Sequence, residues 1–340
     1  MIELTVSPDA AGQRLDKYVR KALRDVPLSH VYKMFRTKKV RVNGARGKPE
    51  QVLAEGDRIA IRGDEERLLA PAPSGESAPG GLKITFQVLH EDADLLAVDK
   101  PAGLAAHPGT GITGATLVEM ARAYLKVPAD LPPAEFKPSP AHRLDRDTSG
   151  IILVAKNRKT MVRLGELFTE GEETKKTYLA LAKGKLPREA GVIDLPLSEH
   201  EQTARSKAVR GVNMQEARTH YKVLASMKDA SLVSLNIETG RTHQIRRHLE
   251  AIGHPVAGDR RYGDFAFNRL ARTRWGLRRM ALHAWRLELP HPTTGARLRL
   301  EAPLPAELVE VLSRLNLPAP AGSAAPGAAT RAEAKRPSER

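Results

Sequence analysis

Residues 142–156 read HRLDRDTSGIILVAK. Apart from Leu144, the first nine are charged, polar or turn-forming, and Asp147-Thr148-Ser149-Gly150 has the chemistry of a tight turn. The next five, IILVA, are apolar and mostly branched, as a buried strand requires. A loop that delivers a carboxylate to the mouth of a buried strand is a common way to present a nucleophile or base. Asp145 lies between Arg143 and Arg146, and two guanidinium groups favour a carboxylate anion. The same residues also fit a salt-bridged turn with no chemistry, and from these residues alone both readings stand.

Working outward, further strand-like runs flank this one: ITFQVLHE, LLAVDK, KTYLALAKG, ASLVSLNIE and ARLRLEAP. Helical spacing appears in TLVEMARAYL, KTMVRLGELF and HQIRRHLEAIG. Strands follow strands with few helices between them, which predicts an α+β fold with a mixed, largely antiparallel sheet rather than a regular βαβ repeat. This domain is expected over residues 83–317. Ahead of it, residues 12–63 form a separate block. Leu15, Tyr18, Val19 and Ala22 predict one amphipathic helix, ended by Pro27, and Ser29 is placed to cap a second. Val40 and Val42 alternate into Asn43-Gly44, a hairpin turn, and GDRIAI returns. Residues 64–82 are rich in Pro, Gly, Ser and Ala and are expected to be a flexible linker. Residues 318–340 are low in complexity and are expected to be a disordered tail.

The chain has 340 residues, 55 Lys plus Arg against 40 Asp plus Glu, and a formal net charge of +15. That balance points to an anionic partner, nucleic acid or a membrane surface. Between residues 10 and 50, twelve basic residues face three acidic ones, a net +9. With no cysteine, thiolate metal sites, disulfides and a cysteine nucleophile are excluded. No run of 18 apolar residues and no signal-like N-terminus appear, so a cytoplasmic, membrane-free protein is expected. A membrane-surface role would need a basic amphipathic helix with exposed bulky apolar residues, and aromatics are only 4%.

Gly109-Thr110-Gly111-Ile112-Thr113-Gly114 matches G-x-G-x-x-G, but AGLAAHP separates it from the preceding strand and a proline-rich stretch follows its helix. No nucleotide cofactor is expected. His243 and His248 are five apart, which is the wrong spacing for one helical face, so no metal is expected either. Gly240 to His248, GRTHQIRRH, gathers three Arg and two His behind the strand LVSLNIE, a pattern suited to gripping phosphate or carboxylate. The stretch 268–280 carries five Arg and no acid, and is expected to be a basic loop.

HRLDRDTSG (142–150), RTHQIRRH (241–248) and GHPVAGDRRYGD (253–264), in that order, resemble the motifs of the RluA family of pseudouridine synthases. HEDADLLAVDKPAGLAAHPG (90–109) resembles that family's opening motif and KKTYLALAKG (175–184) its tyrosine-bearing strand, so the resemblance covers about residues 84–315. The N-terminal block resembles an S4 RNA-binding domain, and the combination looks most like the members that modify large-subunit ribosomal RNA. One departure is Asp99, where many members have Asn.

The resemblance implies an isomerase that needs no cofactor and converts uridine to pseudouridine in a flipped-out nucleotide. It makes Asp145 the essential carboxylate, Arg246 its basic partner (with Arg241 as the other candidate), Tyr178 the aromatic against the base, and Arg143 the side chain filling the vacated space. Gly103, Gly150 and Gly240 would serve backbone geometry near the site. Arg14, Lys17, Arg36, Lys38, Lys39 and Arg41 in the S4-like block, with Arg241 and His243, would contact RNA. The partner is then ribosomal RNA, naked or in an assembling subunit, and the protein is expected to be a monomer. A second reading is a catalytically inactive, ribosome-associated binding factor; retention of Asp145 and its arginines argues against it.

Overall fold

A computed structural model of the chain describes residues 1–23, 26–63, 82–109, 112, 114–128, 131, 132, 135–171, 173–198 and 214–320. The expected linker, apart from Leu82, and the expected tail beyond residue 320 lie outside the described residues, as do three positions of the glycine motif, 110, 111 and 113. The chain forms two compact units. One comprises residues 1–97, 105–143 and 152–166; the other comprises 98–104, 144–151 and the chain from 167 onward.

In the first unit, strands β1 (Ile2–Thr5), β2 (Val40–Val42), β3 (Ala45–Arg46) and β4 (Arg58–Ile61) make an antiparallel sheet in the order β1-β4-β2-β3. Helices α1 (Leu15–Ala22) and α2 (Leu28–Arg36) pack with it. Leu15, Tyr18, Val19 and Ala22 are all buried, as their spacing predicts. Asn43 and Gly44 have φ of 50° and 81°, the two left-handed residues of a type I′ hairpin. Ser29 does not cap α2. That helix begins at Leu28, two residues earlier, after Pro27, whose ring sets a φ of −52° that leads directly into the first turn.

The unit continues with β5 (Gln87–Glu91), the first half of β6 (Leu95–Lys100), α3 (Leu117–Tyr124), β7 (Ser139–Pro140), the later part of β8 (Ser149–Ala155) and the start of α4 (Arg158–Glu170). Within it the Ser7 hydroxyl donates to Glu135 Oε2 at 2.5 Å, and Arg158 Nε donates to the Asp9 carbonyl at 2.9 Å.

The second unit holds β9 (Lys175–Lys183), β10 (Ala190–Asp194), β11 (Leu197–Ser198), β12 (Met214–Gln215), β13 (Arg218–Ser226), β14 (Ala230–Ile237), α5 (Gln244–Ala251), α6 (Phe265–Trp275), β15 (Leu282–Pro290), β16 (Arg297–Glu301) and α7 (Ala306–Arg314). Its sheet runs β10-β13-β14-β9-β15-β8-β6, with β16 beside β15. From β10 to β15 every pair is antiparallel, and β15 meets β8 in parallel at His283–Ser149 and Ala284–Gly150. The mixed, largely antiparallel sheet matches the expected fold class.

Alternation along β9 assigns its side chains to two cores. Leu179 and Leu181 face α6 and α7, against Phe267, Ala271, Trp275, Leu308, Val311 and Leu312. Tyr178, Ala180 and Ala182 face the core that includes Ile245 and Leu249 of α5.

Residues 268–280 are not the expected basic loop. They carry most of α6, because Asp264 caps its first turn by accepting from Phe267 N at 2.8 Å and Gly276, with φ of 74°, closes its end. Phe267, Ala271 and Trp275 recur every four residues on its buried side.

Candidate active site

Asp145 stands in the turn that opens β8, where Thr148 N donates to the Asp145 carbonyl at 3.1 Å. The next residue ties this turn to the segment after β6. The Arg146 carbonyl accepts from Gly103 N at 2.8 Å and from Lys100 Nζ at 3.0 Å, and Arg146 Nε donates to the Gly103 carbonyl at 3.0 Å. Gly103 sits at φ of 85°, a left-handed conformation natural to glycine. Gly150 has φ of 116°, and a Cβ there would lie 2.2 Å from the Ala284 carbonyl oxygen, so only glycine lets β8 approach β15. Gly240 has neither a positive φ nor a crowded Cβ position, contrary to expectation.

Arg246 meets Asp145. Its Nη1 donates to Asp145 Oδ2 at 2.9 Å, while Nε and Nη2 donate to Asp259 at 2.6 and 3.0 Å. The guanidinium is thus clamped by a fully buried carboxylate and aimed at one that is 23% exposed. Burial opposes the charge on Asp259, but the hydrogen bonds and charge of Arg246, with the amides of Tyr262 and Arg261, outweigh it and hold its carboxyl below the usual range. Burial likewise opposes the charge on Arg246, and its two carboxylate partners raise its pKa.

The start of α5 is built to place Arg246. His243 occupies the N-cap with φ of 55°, a costly conformation for a residue with a side chain. Gln244 anchors the turn: its Oε1 accepts from Thr239 Oγ1 and Arg241 N, and its Nε2 donates to the Arg218 carbonyl. His243 Nε2 lies 3.6 Å from Asp145 Oδ1, and its Nδ1 lies 3.0 Å from the Tyr262 hydroxyl. The Arg246 guanidinium rests 4.9 Å from the Tyr262 ring centre.

The remaining basic residues of this motif serve other ends. Arg247 is buried and donates to the Ser198 carbonyl and hydroxyl. His248 Nε2 donates to the Leu195 carbonyl, which leaves Nδ1 to accept from Thr219, so neither nitrogen is spare for a metal. Arg241 is exposed and donates to the Glu216 carbonyl; it does not pair with Asp145.

Tyr178 is partly buried on the face of β9 shared with α5. Burial raises its phenol pKa, and the charge of Asp145 adds to that. Arg143 is exposed. Arg14, Lys17, Arg36, Lys38, Lys39 and Arg41 are all exposed. Arg14 pairs with Asp16 at 2.8 Å, and Arg41 donates to the Gly44 carbonyl.

Beneath the Asp145 turn lies a set of charges that the motifs did not assign. Lys100 is fully buried, and Nζ also donates to the Pro101 and Leu104 carbonyls at 3.0 and 2.8 Å. Burial, with Arg279 nearby, brings its pKa down to about 7. Asp99 has a buried Oδ1 with no hydrogen-bond partner among the described residues. Burial pushes its carboxyl up to about 6, against the pull of Arg279, Lys100 and the Gly150 amide. Arg279 Nη2 donates to Ser149 Oγ at 2.7 Å. The Ala302 carbonyl accepts from His283 Nε2 at 3.2 Å, which leaves Nδ1 to accept from Ser149 Oγ at 2.8 Å. Buried this way, His283 has its pKa lowered to about 4 and stays neutral.

The chain is similar to known proteins over most of its length. The family described as RNA pseudouridylate synthase matches residues 94–251. The chain is 37% identical over 314 residues to a ribosomal large subunit pseudouridine synthase C of Pasteurella multocida, covering 92% of this chain and 93% of that one. It is 37% identical over 319 residues to a ribosomal large subunit pseudouridine synthase D of Nitrosomonas europaea, covering 93% and 89%. Among solved structures, human RNA pseudouridylate synthase domain containing 4 aligns with a TM-score of 0.55 and 31% identity, over 68% of this chain and 94% of that one.

Proposed function

The chain belongs to the RNA pseudouridylate synthase family, and from that premise we propose that it isomerises specific uridines of large-subunit ribosomal RNA to pseudouridine, with Asp145 as the reacting carboxylate. The observation that carries the site assignment is the clamp, in which Asp259 fixes Arg246 and Arg246 fixes Asp145. An inactive binding factor would have no use for a buried carboxylate that orients a guanidinium toward a partly exposed one.

The reaction breaks the bond from N1 of uracil to C1′ of ribose and forms one from C5 to C1′. The proton leaves C5 and one is gained at N1, so substrate and product are isomers. Asp145 supplies the anion that acts on the flipped nucleotide. Arg246 holds the carboxylate in one orientation throughout, which avoids reorganisation as charge shifts. Tyr178 lies against the detached base, since stacking is how proteins hold unstacked RNA bases. Arg143 fills the gap in the RNA stack, offsetting part of the roughly few kcal/mol that flipping costs.

Residues 12–63 act as an S4-like grip, with Arg14, Lys17, Arg36, Lys38, Lys39 and Arg41 toward phosphates, and in the second unit Arg241 and His243 also contact RNA. The work is done in the cytoplasm, on ribosomal RNA. No helix of the described residues is long and apolar enough to cross a membrane.

Asp145→Asn tests the assignment. Asparagine keeps the shape but supplies no anion. Tritium release from 5-labelled uridine in a large-subunit RNA transcript should vanish, while the variant binds that RNA about as well as the parent. Release at the parental rate would end the role of Asp145.

A further inference from the structure

We propose that the exposed face of α6, formed by Phe265, Arg269 and Arg272, is a docking surface for single-stranded RNA flanking the target uridine; the proposal rests on the pseudouridine synthase reading above. These three residues stand at i, i+4 and i+7, which on a helix is one stripe about 60° wide. The opposite side, Phe267, Ala271 and Trp275, is buried and fixes the helix's rotation, so the stripe points to solvent by construction.

Charge singles out this surface. Residues 265–280 contain five arginines and no acid. Arg269, Arg272, Arg274 and Arg278 are exposed, and none pairs with a carboxylate among the described residues. Elsewhere in the same unit several arginines are neutralised instead. Arg286 pairs with Glu301, Arg297 and Arg299 with Glu288, and Arg314 with Glu310. Leaving like charges unneutralised on one helix is destabilising, and an anionic partner removes that cost.

The aromatic decides which anion. Phe265 is 58% exposed, the most exposed phenylalanine of the described residues. A ring beside guanidinium groups on one face is the composition that holds single-stranded nucleic acid, stacking a base while the arginines take phosphates.

Position supports the same conclusion. Phe265 is six residues beyond Asp259, which grips Arg246, so the stripe starts within about 20 Å of the clamp. Asp264 pins the helix start by accepting from Phe267 N and from Lys183 Nζ at 2.7 Å.

Filter binding of a full-length large-subunit ribosomal RNA transcript, between about 50 and 200 mM salt, tests the proposal. The Arg269→Ala/Arg272→Ala protein should lose about 1.4–1.8 from the slope of log affinity against log salt, at 0.7–0.9 per phosphate contact. The Arg269→Lys/Arg272→Lys protein, which keeps the charge, should retain the slope. Phe265→Ala should weaken binding about tenfold at every salt concentration with the slope unchanged, as loss of one stacked base predicts. All these side chains are exposed, so folding is not at stake. An unchanged slope in the double alanine variant together with parental affinity in Phe265→Ala would overturn the proposal, whatever other partner the face serves. Should the parent protein bind the transcript but leave it unmodified, the substrate reading fails on its own, and the slope comparison still decides the role of α6.

Discussion

Arg246 makes three hydrogen bonds to two carboxylates, and only one of those carboxylates can meet substrate. With Asp145 as the proposed reacting carboxylate, Asp259 acts as a positioning residue, and Asp259→Asn should lower turnover about a hundredfold, the scale expected when a reacting group is misplaced by about 1 Å. RNA affinity should stay near parental; a large affinity loss with intact turnover would mean Asp259 matters to binding instead. Asp99 gives a prediction of a different kind. The folded chain keeps its proton up to about pH 6, whereas the unfolded chain releases it near the ordinary value of about 3.9. Between those values the folded state binds more proton, so stability falls as pH rises through the window and the penalty is complete above pH 6. Asp99→Asn should raise stability by about 1–3 kcal/mol above pH 7 and by little at pH 4. Urea midpoints at the two pH values check it, and an equal gain at both would show that proton linkage is not the cause. Motif resemblance names Asp145, Arg246 and Tyr178 as candidates, and of these the structure joins Arg246 to Asp145. Asp259 lies in GDRRYGD but carries no signal of its own role, because no local pattern links it to an arginine thirteen residues back. Nor could spacing say which of the adjacent Arg246 and Arg247 turns to the site; that follows from the rotation of α5, which tertiary packing sets.

At the scale of elements, the site depends on how closely β8 and β15 approach. Gly150→Ala would push a methyl to 2.2 Å from the Ala284 carbonyl oxygen at φ of 116°, so either the parallel pairing parts or the turn carrying Asp145 shifts. Gly103→Ala meets nothing within 4 Å and pays only for its φ of 85°. Thermal melts should show Gly103→Ala costing about 1 kcal/mol, the usual left-handed penalty, and Gly150→Ala costing several times that. Comparable losses would mean that β8 and β15 have room to adjust. Elements with strong local signals were readable from sequence: α1 through its apolar stripe, the β2–β3 hairpin through Asn43-Gly44, and β8 through its unbroken apolar run. Elements held mainly by tertiary contact were not. β13 has the burial pattern of a strand wet on one face and carries few branched residues, and α6 reads as a basic loop until Asp264 and Gly276 are seen as its caps.

Across the whole molecule, excess positive charge is distributed unevenly, and the proposed grip on RNA predicts what removing one patch does. Lys17, Arg36, Lys38 and Arg41 are exposed in residues 1–61, a block with its own apolar core running from Ile2 to Ile61. Replacing these four by alanine removes charge without touching that core. It also spares Ser7 and Asp9, through which the block bonds to Glu135 and Arg158. Arg14 makes a poor probe because Asp16 already neutralises it. If the four side chains lie on phosphates, the slope of log affinity against log salt should fall by roughly 2.8–3.6, at 0.7–0.9 per contact. Affinity for large-subunit RNA should then drop most at low salt and converge on the parental value at high salt, since a counterion term weakens as salt rises. Turnover at saturating RNA should hold, because phosphate contacts position the substrate and none of these residues meets Asp145. Filter binding over a salt series, paired with tritium release, measures both. A parental slope in the four-alanine protein would mean that the N-terminal basic face is solvated surface and that the unit holding Asp145 carries the RNA by itself.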